Sequence, residues 1–250
     1  MKELKDSHII PEFMYQNLYD PNPRRFYTLK INLDNQDNSS KQIEQKGIRE
    51  QLLCGECESL LSKYEKYAAE TIYAKNKGNK TFIKNASETE DLKYFLYEYE
   101  GFSYVDFKQF LISILWRVCI SNTYSVKLDS ESLEKMRRSL YENTPLKVDE
   151  FGCLVQILFY KKGERAGGFI LEPFQTNNGD RELINILIDG LMFSFYLNSE
   201  NLPPDTKSNF LQTSGQMNII GRRIFEDKGL SDVVKKGYEY FNKVVKPNGK

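Results

Sequence analysis

Apolar residues recur at three- and four-residue steps between about residues 103 and 121, which predicts a helix with a broad apolar face. The positions that repeat are Tyr104, Phe107, Phe110, Leu111, Ile114, Leu115 and Val118. The longest apolar run within this stretch, 110–120, is too short to span a bilayer and is broken by Ser113 and Arg117. We therefore expect a core helix in a globular protein, and no membrane partner.

The same periodicity predicts three further helices. The first begins near Cys54 and ends before Lys75, the second follows Asp129, and the last extends from Leu230 to Val245. Apolar runs bounded by turn residues predict strands. These runs are LKDSHII before Pro11, FYTLKINL at 26–33, TFIK at 81–84, CLVQILFY at 153–160, GGFILEPF at 167–174, and LINILI and LMFSFYL on either side of Asp189-Gly190.

The segment 34–46 contains one apolar residue in thirteen positions, so we expect it to be a solvated loop. A chain of 250 residues can hold a small module and a larger domain. We expect an α+β protein with an N-terminal module at 1–75, followed by a domain at 76–250 that combines helices with antiparallel strands.

Charge and cysteine content restrict the classes of function. Lys plus Arg and Asp plus Glu both total 35, so contact with a nucleic acid would need a local basic patch. The four cysteines are too sparse for a secreted disulfide framework, and no N-terminal stretch has the composition of a signal peptide. We expect a soluble protein of the reducing cytoplasm.

Two short motifs carry the functional prediction: SHIIPEF at 7–13, which holds the single histidine, and LLCGECE at 52–58. A strand-borne histidine before two aliphatic residues and proline, then a leucine pair and C-x-x-C at a helix start, resembles the HNH family of ββα-metal nucleases. The pattern is more similar still to a bacterial group with SHIIPEF, KGIRE-LLC-x-x-CE and a helix like LSKYEKYA. Residues 2–70 match it, and SILWRVCIS at 113–121 resembles a further stretch of that group.

The resemblance implies that the N-terminal module is a ββα unit and that His8 is the general base for hydrolysis of a DNA phosphodiester. It also implies a role in bacterial defence or mobile-element biology. An imidazole accepts a proton near neutral pH, and a hard cation offsets the charge that develops on phosphate. The family's ligand after the second cysteine is His or Asn. Here Glu58 stands in that position, and a carboxylate suits Mg²⁺ or Mn²⁺.

The sequence departs from the family beside this histidine. The family's metal-binding Asp before the histidine is replaced by Ser7, and Asp6 would point to the opposite side of the strand. Ser62 and Glu65 lie four and seven residues after Glu58, so they share its helix face and are candidate supporting residues. These departures weaken the catalytic prediction.

The zinc half of the family's module is also incomplete. Structural zinc takes four ligands, and Cys54 and Cys57 supply two, because the first C-x-x-C of the group has no counterpart before Leu4. Either packing has replaced zinc, or Met1 is an internal start. CGEC at a helix start is also compatible with a thiol-redox motif, although no βαβ pattern surrounds it.

Two alternatives therefore stay open for function. The leading prediction is a divalent-metal-dependent HNH-like nuclease, with Lys75, Lys77 and Lys80 as candidate phosphate contacts. A nuclease-derived DNA-binding protein is the non-catalytic form of this prediction. The other alternative is a non-catalytic interaction protein in which the module is a structural remnant and the domain at 76–250 binds a protein, a ligand or a second copy of the chain. A lysine-rich connecting loop and a solvated acidic helix face are the simpler readings of these lysines and of Glu58 and Glu65.

Overall fold

The computed structural model of the chain describes residues 3–21, 24–30, 40–72, 82–88, 94–161, 164–178, 181–226 and 228–244. Its principal helices are α1 (Gly55–Ile72), α2 (Tyr104–Ile120), α3 (Ser130–Glu142), α4 (Pro204–Lys207) and α5 (Lys228–Val244). Short 3-10 helices cover Glu12–Leu18 and Ile224–Glu226. These elements combine with strands in a mixed α and β architecture, which confirms the expected fold class.

Strands lie before α1, between α1 and α2, and after α3. They are β1 (Leu4–His8), β2 (Asp20–Pro21), β3 (Arg24–Lys30), β4 (Ser40–Glu44), β5 (Arg49–Cys54), β6 (Phe82–Glu88), β7 (Tyr94–Glu100), β8 (Cys153–Lys161), β9 (Glu164–Arg165), β10 (Phe174–Asn178), β11 (Arg181–Ile188), β12 (Leu191–Tyr196) and β13 (Met217–Arg223). The predicted helices and most predicted strands therefore lie where the sequence placed them.

The largest sheet has the strand order β10-β11-β12-β8-β13-β7-β6, with β9 paired to β8. Its neighbours are antiparallel except β8 and β13, which run parallel. The expectation of purely antiparallel strands was therefore wrong at this one pair. A parallel pair needs a long crossover connection, and β8 and β13 are separated by more than fifty residues that include the β11–β12 hairpin.

The β11–β12 hairpin turns at Asp189 and Gly190, as predicted from the two apolar runs around them. Both turn residues have positive φ, 48° and 71°, as a two-residue turn of the type I′ class requires. The run GGFILEPF is not a strand over 167–173, which corrects the prediction, and makes one isolated bridge there, from Ile170 to Ile188. Its last residue, Phe174, begins β10.

The N-terminal part contains a ββα arrangement. Strand β1 pairs antiparallel with β5, and β5 leads directly into α1, which packs against both strands. Between β1 and β5 the chain forms the 3-10 helix and a small sheet of β2, β3 and β4. The expected loop at 34–46 is wrong for 40–44, because the polar segment SKQIE pairs with β3 as β4.

One hydrophobic core joins the N-terminal part to the rest of the chain. Helix α2 is buried on nearly all sides and contacts α1 and α3. The same cluster of buried side chains extends from Ile9 and Ile10 after β1, through Tyr64 on α1, to Phe193 and Phe195 on β12. The predicted boundary at 75/76 lies outside the described residues, so the division into two domains stays a prediction.

The face of the large sheet opposite α2 carries a second apolar cluster, in which Leu230 and Val234 of α5 pack on Leu187 and Met192. The sheet is therefore covered on both faces in this region. Among the described helices, none combines the length and apolar character needed to cross a bilayer.

Candidate functional site

The candidate site lies at the end of β1, where the strand stops at His8. In the register of the β1–β5 pair, His8 is opposite Arg49, whereas Leu4 is opposite Cys54. Cys54 follows Arg49 by five positions along β5, a distance of roughly 17 Å along a strand. The histidine and the C-x-x-C motif are therefore at opposite ends of the hairpin.

Two oxygen acceptors hold the His8 ring. Its Nε2 lies 2.6 Å from the carbonyl oxygen of Lys46 and 2.7 Å from Oε2 of Glu12, and the ring is about one fifth exposed. Because both partners are acceptors, Nε2 carries a proton, and Nδ1 is the basic nitrogen of the neutral ring. The structure thus gives His8 the orienting carboxylate that a general base uses.

Glu12 is itself fixed by the segment that follows it. The hydroxyl of Tyr19 donates to both of its carboxylate oxygens, at 3.0 and 3.1 Å, and Arg24 forms an ion pair with it. Burial, together with this hydrogen bond, raises the pKa of Tyr19 to about 12, so the phenol remains a donor. Glu12 was not among the predicted site residues. Its signal in the sequence is its spacing, four residues after the only histidine.

Arg117 connects the end of β1 to α1. This side chain of α2 is almost fully buried, and its Nη1 donates to the carbonyl oxygen of His8 at 2.9 Å and to Oε1 of Glu65 at 2.7 Å. Its Nε donates to the carbonyl of Ser113 at 3.2 Å. Arg117 was also missed as a site residue. Arg117 is the one charged residue of the apolar run 110–120, and a charge in such a run is the signal that predicts a buried ionic partner.

The residues beside His8 have structural roles. Ser7 is buried, and its hydroxyl donates to the carbonyl of Lys5 and accepts the N–H of Leu53, where the β1–β5 register shifts. Asp6 is exposed and pairs with Arg49 at 3.1 Å. Both side chains therefore make contacts within the β1–β5 pair.

The predicted ligands on α1 lie at the other end of the module. The Sγ atoms of Cys54 and Cys57 are 3.5 Å apart at the corner between β5 and α1. Glu58 is one residue further on, and its Oε1 is buried without a hydrogen-bond partner among the described residues. Ser62 is exposed, and its hydroxyl donates to the carbonyl oxygen of Ser59 rather than to Glu58 or the cysteines.

The ligands predicted for Mg²⁺ or Mn²⁺ do not gather at one place among the described residues, and the cation site stays a prediction. In the described ranges no three His, Cys, Asp or Glu side chains converge as ligands of a metal ion. Of the acidic residues predicted on α1, Glu65 is the one that reaches the His8 end, and there it pairs with Arg117. Lys75, Lys77 and Lys80 lie outside the described residues, so their role as phosphate contacts stays a prediction.

Comparison of the chain with protein-family models, curated proteins and solved structures found no match. The resemblance to HNH nucleases therefore rests on the two sequence motifs and stays a prediction.

Proposed function

We propose that this chain is a nuclease-derived DNA-binding protein that does not hydrolyse phosphodiesters. One observation carries the proposal: the buried guanidinium of Arg117 binds both the carbonyl of His8 and the carboxylate of Glu65. A permanent internal cation thus neutralises Glu65, the α1 carboxylate at the His8 end of the module. The carboxylate that remains in an ion pair of this kind is a poor ligand for a further cation.

The residues around His8 support the same conclusion. Its Nε2 is saturated by Glu12 and the Lys46 carbonyl, and Ser7 is committed to the strand irregularity of β1. A hydrolytic site of the HNH type requires a hard cation beside the histidine. DNA is proposed as the partner because the HNH resemblance implies it.

A second candidate function is a metal-dependent HNH-like nuclease, which the His8–Glu12 pair favours. A carboxylate 2.7 Å from Nε2 fixes the tautomer in which Nδ1 accepts a proton from water. This candidate requires that cation ligands come from residues other than the predicted Glu58, Cys54 and Cys57.

Cleavage and binding assays on the same preparations separate the two functions. Supercoiled plasmid and single-stranded DNA are incubated with wild type, His8→Ala and Glu12→Gln in Mg²⁺, in Mn²⁺ and in EDTA. Glu164→Gln on β9 is the matched control, since it removes an exposed carboxylate far along the chain. Binding of labelled duplex is followed by fluorescence anisotropy in EDTA at several salt concentrations.

We expect salt-dependent binding by all four proteins, with nicking no greater in Mg²⁺ or Mn²⁺ than in EDTA. Ion-dependent nicking that His8→Ala abolishes and Glu164→Gln retains would replace the proposal with the nuclease. Absence of binding to duplex and single-stranded DNA at low salt, by protein with a native circular dichroism spectrum, would overturn DNA as the partner.

A further inference from the structure

The corner between β5 and α1 holds two thiols in contact. Cys54 is the last residue of β5, Cys57 lies in the first turn of α1, and their Sγ atoms are 3.5 Å apart. A disulfide requires about 2 Å between the sulfurs, so a small rotation of the side chains would close the bond. No disulfide joins any of the four cysteines in the structure.

The two thiols differ in their surroundings. Cys54 lines an open surface cavity of about 620 Å³ together with Glu3, Gly55, Glu56 and Ser59. Cys57 packs against the hydrophobic core. Cys54 lines the cavity and Cys57 does not, so a small molecule in the cavity contacts Cys54, whose sulfur is 3.5 Å from that of Cys57.

We propose that Cys54 and Cys57 form a reversible intramolecular disulfide by exchange with low-molecular-weight disulfides. The thiolate of Cys54 attacks one sulfur of the small disulfide, so that its S–S bond breaks and one small thiol leaves. The thiolate of Cys57 then attacks Cys54 in the mixed disulfide and releases the second small thiol. The protein loses two electrons and two protons, and the small disulfide gains both.

The other two cysteines are excluded from this chemistry by burial. Cys119 on α2 and Cys153 on β8 are nearly inaccessible. Burial raises the pKa of the Cys119 thiol to about 12 and also raises the pKa of the Cys153 thiol. Both remain protonated and inert near neutral pH, because the thiolate is the reactive form. They serve as internal controls in the same molecule.

The test uses the full-length reduced protein and glutathione as the probe. Protein is equilibrated with excess oxidised glutathione, alkylated under denaturing conditions and digested with trypsin. Cleavage after Arg49 and Lys63 places both candidate thiols in one peptide, whereas Cys119 and Cys153 fall in two others. Mass spectrometry of the three peptides then identifies the oxidised residues, and reduced glutathione tests reversibility.

We expect the peptide 50–63 to lose two hydrogens and to regain them with reduced glutathione, while the peptides of Cys119 and Cys153 remain alkylated. Cys57→Ser should accumulate one glutathione adduct on Cys54, and Cys54→Ser should react much more slowly at Cys57. The proposal is overturned if folded protein keeps both thiols in excess oxidised glutathione. It is equally overturned if oxidation links two copies of the chain, as a non-reducing gel would show.

Discussion

The guanidinium of Arg117 on α2 lies 2.7 Å from the carboxylate of Glu65 on α1, and only 3% of its side chain is exposed. The same Nη1 donates to the carbonyl of His8 at the end of β1. A single buried cation thus holds together three elements that are far apart in sequence. Removal of the guanidinium leaves the His8 carbonyl and the Glu65 carboxylate, which is three-quarters buried, without this donor.

Arg117→Met should therefore lower the free energy of unfolding by about 3–5 kcal/mol, measured by urea denaturation. The double variant Arg117→Met, Glu65→Leu should recover at least about 1 kcal/mol of this loss, because no unpaired carboxylate remains. If Arg117→Met alone lowers the free energy of unfolding by less than about 1 kcal/mol, the Arg117–Glu65 pair does not stabilise the N-terminal part.

Ser7→Asp, which restores the family's residue before the histidine, should destabilise the protein. The Ser7 side chain is about 1% exposed and already fills its hydrogen bonds inside the strand. An ionised carboxylate there should cost about 2–4 kcal/mol near pH 7, and less as the pH falls towards 4, because burial raises its pKa and protonation removes the charge. Ser7→Ala, the control, should lose about 1 kcal/mol with little pH dependence. Stabilisation of Ser7→Asp by Mg²⁺ would contradict this expectation.

Asp189→Ala should weaken the contact between the N-terminal part and the large sheet. The buried carboxylate accepts the N–H of Gly168 at 2.9 Å and the side-chain amide of Asn17 at 2.8 Å. Loss of both bonds, at a residue with positive φ, should cost about 2–3 kcal/mol in thermal or urea denaturation. Asp189→Asn should cost about half as much, since asparagine tolerates this φ and keeps one acceptor. Equal losses for the two variants would contradict a specific role for these bonds.

The stability of the protein should depend on Lys108 between pH 7 and 9. Burial lowers the pKa of this lysine to about 8, while its ammonium donates to the carbonyls of Glu150 and Val148. The unfolded chain keeps the ordinary pKa near 10.4 and so binds more protons above pH 8. The free energy of unfolding is therefore lowered in full by the buried ammonium below pH 8, and this cost decreases as the pH rises.

Between pH 7 and 9, the free energy of unfolding of the wild type should rise by roughly 1 kcal/mol relative to that of Lys108→Met. Cysteines and tyrosines also titrate as the pH rises, and their titration lowers the free energy of unfolding. Both proteins contain these residues, so comparison with the variant cancels their contribution. Urea denaturation at the two pH values checks the difference. A gain that is absent, or that is equal in the two proteins, would contradict a lowered pKa for Lys108.

The helices were predictable because their apolar residues recur at helical spacing and their ends carry ordinary capping residues. Ser103 and Asp129 accept backbone N–H groups at the starts of α2 and α3, as their residue types suggest. Strand β4 was not predictable, since four of the five residues in SKQIE are polar and its pairing with β3 supplies backbone bonds that a pattern of side chains does not show.

The candidate site was predicted in outline and missed in its contacts. Motif spacing placed His8 on a strand and Cys54 at a helix start, and the structure agrees. It does not bring Glu58 to His8, because α1 begins at the cysteine end of the hairpin. The actual partners, Glu12 and Arg117, depend on a 3-10 turn and on tertiary packing, and neither leaves a periodic signal in the sequence.

The position of Arg117 also has a consequence for the order in which the protein is made. Glu65 and the carbonyl of His8 are synthesised first, and the guanidinium that satisfies both follows Glu65 by 52 residues. At ordinary translation speeds this delay is roughly 3–10 s. During that interval the nascent ββα segment cannot reach its final packing, so its completion on the ribosome waits for α2.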